Sequence, residues 1–265
     1  MGHYLKKEII LYLSIVYGIT YLVFSICKIT EIDYRNFVSY SMLLPAFASI
    51  ITTLIFKEKF TYILKNLKIN KWIFVGIIII IMIYILSSIF QIILYEVVFK
   101  QFNLVKIPSV FVFLQQIVIG IVLGGLSAIF EEIGWRGFLQ SRLILKNTFI
   151  SYLFIGICWS IFHFPQILDG LIYKGYLMQG LIMHTCILVS FGILLCYMRE
   201  KSSSLISTSI THGLFNVLIY TQATDVISGG NQIIEGILWS VLFFIILITL
   251  FLKTYKRKLT AIINS

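Results

Sequence analysis

Residues 72–95, "WIFVGIIIIIMIYILSSIFQIILY", run through 24 positions without a charge. As a helix rising about 1.5 Å per residue, such a run is long enough to cross the roughly 30 Å hydrocarbon core of a bilayer. Lipid offers the backbone no hydrogen-bond partner, so a helix that satisfies its own N–H and C=O groups is the structure this stretch can adopt there. "IILYLSIVYGITYLVFSIC" at 9–27 repeats the signature. The whole chain is 59% hydrophobic and 12% charged, with a mean hydropathy of +0.98. A soluble domain of 265 residues is excluded, and the fold class is an all-α polytopic membrane protein.

The apolar runs predict eight transmembrane helices, near 8–27, 38–56, 72–99, 109–145, 148–168, 177–198, 204–222 and 233–252. They form a single membrane domain over 1–265. The first run follows Lys6 and Lys7 but is long for a signal-peptide core and lacks a small-x-small cleavage pattern, so it is expected to stay as an anchor.

Orientation follows from the basic residues. With the N-terminus inside, sixteen of the 21 Lys and Arg fall on inner segments: Lys6 and Lys7, the five lysines of 57–71, Arg136, Arg142, Lys146, Arg199, Lys201, Lys253, Lys256, Arg257 and Lys258. The outer segments hold Lys28, Arg35, Lys100, Lys106 and Lys174. The positive-inside rule places both termini in the cytoplasm. The net charge of +10 then points to a bilayer with an anionic inner leaflet as partner, and not to nucleic acid. Cys27, Cys158, Cys186 and Cys196 form no CxxC pair and read as small apolar residues of the spans.

Against this background "FEEIGWRGFLQSRL" (130–143) is anomalous. A carboxylate deep in a bilayer costs at least a few kcal/mol, so Glu131 and Glu132 need partners. Glu132 and Arg136 are four apart and share a helix face, which makes an internal ion pair. One residue turns a helix by about 100°, so Glu131 points elsewhere. Two later spans offer groups for it. Trp159 and His163 are four apart, as are His212 and Asn216. Counted from the inner helix ends, Glu131 and His163 lie about 20 Å deep, and His212 and Asn216 about 12 and 18 Å. A carboxylate, two imidazoles and an amide are therefore expected within one layer of the bundle. Glutamate beside a neutral imidazole can hold and deprotonate water. A second histidine with an amide supplies donors for an oxyanion, so the chemistry is hydrolysis of an acyl bond, a peptide bond first. Ser160 and Ser207 offer a weaker serine-based alternative.

"EEIGWR", "WSIFH" and "HGLFN" resemble, in order, the motifs EExxxR, (F/W)xxxH and HxxxN of the CAAX-protease and bacteriocin-processing (Abi) family of intramembrane proteases. The resemblance covers about 131–216 and marks 109–222 as the catalytic core. It implies Glu131 as the catalytic carboxylate acting on water with His163, Glu132 and Arg136 as its support, and His212 with Asn216 at the oxyanion. It also implies a core open towards the cytoplasm, and a peptide or membrane-protein substrate. Family members in bacteria process peptides such as bacteriocins or confer self-immunity, and the many Ile, Lys and Asn residues suit a bacterial cell membrane.

No metal or other cofactor is required by this reading. The alternative is Zn²⁺ on Glu131, His163 and His212, against which stands the lack of an HExxH arrangement. The functional alternative is a non-enzymatic bacteriocin-immunity or partner-binding membrane protein. Outside the motifs, His184 is expected to be a packing histidine. Glu235 is expected near water at the start of the last span. Gly120 and Gly124 are expected to let another helix approach closely, and Pro45 and Pro165 to bend their helices. The basic loop 57–71 is expected to lie on the inner surface.

Overall fold

The computed structural model describes the backbone of residues 2–64, 66–100, 107–143, 148–224 and 229–263, and the side chains of 7–63, 66–100, 107–143, 148–221 and 232–250. Lys6, Lys65, Lys106, Lys146, Lys253, Lys256, Arg257 and Lys258, which enter the charge count, lie outside those side chains. The described residues contain helices and connections and no strand.

In chain order the helices are α1 (Gly2–Thr30), α2 (Arg35–Ser41), α3 (Leu44–Ile55), α4 (Thr61–Leu64), α5 (Trp72–Val98), α6 (Val110–Arg142), α7 (Thr148–Leu168), α8 (Leu177–Ser202), α9 (Leu205–Thr224) and α10 (Gly229–Ile263). By length and apolarity six of them hold spans: Lys7–Thr30 in α1, α5, α6, α7, α8, and Gln232–Leu250 in α10. The pair α2 and α3, bent by 46°, makes a seventh if it counts as one. Pro45, in the first turn of α3, stands at that break and supplies no N–H to a preceding turn.

Among the described residues these criteria find six or seven spans, and the expected count of eight is not confirmed by them. The difference is α9, which forms over the expected residues but carries Ser207, Thr208, Ser209, Thr211, His212 and Asn216. Its polar side chains face protein instead of lipid. Ser207 donates to Asn70 Oδ1 at 3.1 Å, Thr211 donates to the Ser207 carbonyl at 2.8 Å, and Ser209 donates to the Gly125 carbonyl. A helix walled by other helices does not need the apolarity that lipid demands.

α9 packs on α6 and α5, while α8 packs on α7 and α10. The α6–α9 crossing is set by glycines: a Cβ on Gly213 would coincide with the Gly124 backbone, and Gly120 lies against Leu214. The glycine pair seen in the sequence therefore serves close packing within the molecule. This approach brings α9, with His212, beside the two glutamates of α6.

Ion pairs mark the two ends of the bundle. At one end Lys28 Nζ lies 2.6 Å from Asp169 Oδ1, joining α1 to the α7–α8 connection. At the other, Arg142 binds Glu8 at 2.9 Å and also Glu58, with its guanidinium 3.7 Å from the Phe138 ring centroid. The 57–71 loop contains the short helix α4 and is largely exposed. It is anchored into the bundle by Tyr62, a buried residue whose ring packs at 5.6 Å on Phe138 and whose hydroxyl donates to Ser49 at 3.3 Å.

Candidate active site

α6 widens into π-helical turns twice, at Gly120–Gly124 and, directly after Glu132, at Ile133–Leu139. Wider turns of this kind recur at functional sites because they redirect the side chains that follow. Here Gly134 through Leu139 are all buried, and Glu131, Glu132 and Arg136 are at most 1% exposed. All three charges thus sit inside the protein, where each needs a partner.

The two carboxylates resolve into two clusters. Glu132 Oε1 accepts from Arg136 Nη1 at 2.8 Å and from His212 Nδ1 at 3.0 Å. Since a carboxylate only accepts, the Nδ1 of His212 carries its proton. The Arg136 guanidinium also stacks over Trp159, 4.3 Å from the ring centroid, a cation–π contact in a dry setting. Gly192 of α8 packs closely on Gly156 of α7, where a Cβ would fall 3.1 Å from the Gly156 Cα.

Glu131 faces the other way, as the 100° turn requires. Its Oε2 accepts from the Trp159 indole N–H at 2.7 Å and lies 3.7 Å from His163 Nε2. That gap is too long for a direct hydrogen bond. His163 Nε2 is buried without a hydrogen-bond partner. On the far side of the ring, Gln166 Nε2 lies 3.2 Å from His163 Nδ1. With the amide donating to Nδ1, the proton of a neutral His163 sits on Nε2, towards Glu131.

His163, His212 and Asn216 line one wall of a cavity of about 70 Å³, with Trp159 between the two histidines. Trp159 has ring centroids 5.9 Å from His163 and 5.0 Å from His212. The six residues singled out in the sequence are therefore gathered at one place: Glu131 and Glu132 just behind the wall, Arg136 beneath Trp159, and the others on it. As for the zinc alternative, no three His, Cys, Asp or Glu side chains among the described residues are arranged to hold a metal ion, and His212 Nδ1 is turned to Glu132.

Other residues join the site that the sequence reading passed over or set aside. Trp159 was placed on the face of His163, but its indole bond to Glu131 was not foreseen. Gln166, three residues after His163, had a legible signal in its spacing. His184 packs its ring 5.6 Å from that of His163, on the cavity wall. Glu235, expected near water, is 4% exposed and also lines the cavity. The Tyr173 backbone N–H donates to Gln232 Oε1 at 2.6 Å, tying the α7–α8 connection to α10 over the cavity. Burial, and then the nearby Glu235 charge, push the Tyr173 phenol well above its ordinary range.

The comparisons with known proteins bear on this region. Residues 111–218 match the family described as Type II CAAX prenyl endopeptidase Rce1-like. Over 119 residues the chain is 37% identical to "CAAX prenyl protease 2" of Methanococcus maripaludis, a match covering 40% of this chain and 42% of that relative's length. Both clusters, with Trp159 between them, lie inside the matched segment. Residues 111–218 are thus similar to the Rce1-like type II CAAX prenyl endopeptidase family, and the chain spans under half the length of the curated relative it matches.

Proposed function

We propose that the protein is an intramembrane endopeptidase that cleaves a peptide bond of a membrane-associated or secreted substrate with water held between Glu131 and His163. The observation that carries this reading is the juxtaposition, 3.7 Å apart, of a buried carboxylate and an imidazole from separate helices, the imidazole on a cavity wall. A water there donates to Glu131 Oε2 and accepts from His163 Nε2–H. Glu131 removes its proton as the oxygen adds to the substrate carbonyl, and returns that proton to the departing amine. The indole N–H of Trp159 fixes the carboxylate and leaves its orientation to neither lipid nor chance.

The oxyanion falls to His212 and Asn216. With Nδ1–H engaged by Glu132, His212 donates from Nε2 when it is doubly protonated, and the Glu132 carboxylate supports that charge. No metal enters this scheme. The donor arrangement supports that, and chelation tests it: activity is expected to survive a chelator, whereas loss restored by Zn²⁺ alone would replace the scheme with a metal-based one.

The membrane orientation is part of the proposal. The cavity lies towards the α7–α8 connection and the first turns of α10, the end opposite to Glu8, Glu58 and Arg142. Termini in the cytoplasm and a cavity open to the cytoplasm, both expected above, are therefore incompatible. The excess of basic residues favours cytoplasmic termini, in a bacterial cell membrane, and hence a cavity on the outer side. Substrates then come from the translocated side of the membrane.

The experiment is cleavage of quenched fluorogenic peptides, one ending in a farnesylated CAAX sequence and others unprenylated, by purified protein in detergent. Wild type is expected to cleave at least one. Glu131→Gln and His163→Ala are expected to fall by roughly 10²–10⁴-fold in kcat, the span of a lost general acid–base group. Unchanged cleavage by both variants would overturn the scheme.

A further inference from the structure

Glu235 is the charged group of the cavity wall that the proposed chemistry does not use. It is buried, its Oε1 has no hydrogen-bond partner, and no described cation forms a salt bridge with it. Lys28, at the same end of the bundle, is taken by Asp169, and Lys174 is exposed. Beside the cavity wall His184 Nε2 is likewise buried and unpartnered. Tyr173 lies 6.0 Å from His184, ring to ring, and is held in place by its bond to Gln232 at a left-handed φ of 54°. Two orphaned polar atoms thus border one space, within two ring contacts of His163. An extended substrate advancing roughly 3.3 Å per residue covers that distance in a few residues.

The chemistry of the space selects its occupant. An apolar side chain would leave the carboxyl unsatisfied, at the full desolvation cost of a buried polar group. A substrate carboxylate would meet Glu235 directly, with Glu131 close behind His163 and only Arg136 as a buried cation on that side, already paired with Glu132. An alkylammonium supplies the missing countercharge and donors for the Glu235 carboxylate and, in the tautomer with its proton on Nδ1, for His184 Nε2. Its methylene stem fits the apolar part of the same wall, Ile187, Leu188 and Ile219.

Resting on the endopeptidase reading, we infer that Glu235, with His184, forms a specificity subsite that takes a basic substrate side chain, lysine above all, one to a few residues from the scissile bond. The test uses full-length protein in detergent and peptide sets that differ only by Lys, norleucine or Glu, scanned over three positions on each side of the cleaved bond. At one position wild type is expected to prefer Lys over norleucine by about tenfold or more in kcat/KM, with Glu poorest. Glu235→Gln is expected to bring the Lys-to-norleucine ratio within about twofold, and Glu235→Lys to invert the order in favour of Glu. A Lys preference that Glu235→Gln leaves intact, or no Lys preference at any position, would overturn the subsite. Thermal melting of each variant identifies a folding failure, and the ratio is then read from the milder His184→Gln, which removes the second acceptor and is expected to lower it. Should wild type cleave nothing, anisotropy binding of the same peptides to the Glu131→Gln protein decides the matter. Lys-selective binding lost on adding Glu235→Gln upholds the subsite while the peptidase reading fails, and unselective binding overturns it.

Discussion

Adjacent glutamates 131 and 132 do different work because a single helical step turns them apart. Glu132 is the common acceptor of Arg136 and His212, so Glu132→Gln would leave a buried guanidinium without its countercharge. A cost of about 3–5 kcal/mol is expected, read as a large fall in the melting temperature in detergent. The double variant Glu132→Gln/Arg136→Met should recover part of it, since the uncompensated charge is gone. Trp159 acts on Glu131 through one N–H, as a positioning residue. Trp159→Phe is expected to lower kcat by roughly tenfold while KM shifts less than about twofold and the melting temperature little; a change confined to stability would make the indole merely structural. The motif residues were legible because charge inside an apolar run demands partners, and the i, i+4 spacings named the faces. Glu235 and His184 were not legible. One sits at a helix start where acids are commonplace and the other within an apolar run, and only the folding-over of the α7–α8 connection and α10 brings them to His163.

Helix boundaries followed the apolar runs closely, with α7 matching its expected 148–168 and the second span breaking at Pro45. Pro165 lies inside α7, as the expected span 148–168 requires, one turn from the helix terminus where few carbonyls depend on its missing N–H. The π stretch after Glu132 had no signal in the residue types. It follows from fitting Trp135, Arg136 and Phe138 all into protein. The α6–α9 crossing sets backbone against backbone at Gly124 and Gly213. Gly213→Ala forces the helices apart next to His212, so a loss of about 1–3 kcal/mol is expected, together with weakened activity. Thermal unfolding checks the first and fluorogenic cleavage the second. Full stability with alanine there would mean that the crossing is looser than described.

At the scale of the molecule, the bundle has a basic end holding both termini and a cavity end holding the α7–α8 connection. Hydropathy made the membrane class plain, whereas a run as polar as α9 falls short of a span by composition alone and is accommodated where other helices wall it in. Which end faces the cytoplasm is open to a labelling experiment in intact cells on a cysteine-free background. Lys174→Cys is expected to react with an impermeant maleimide from outside, and Lys57→Cys only after permeabilisation; the reverse pattern would turn the cavity inward. The central claim, that a carboxylate and an imidazole on different helices share a water inside the membrane, is tested most directly by the turnover of purified Glu131→Gln against wild type, both shown by melting to be folded. The account predicts that cleavage falls by about 10²–10⁴-fold with substrate binding retained. Turnover equal to wild type would contradict it.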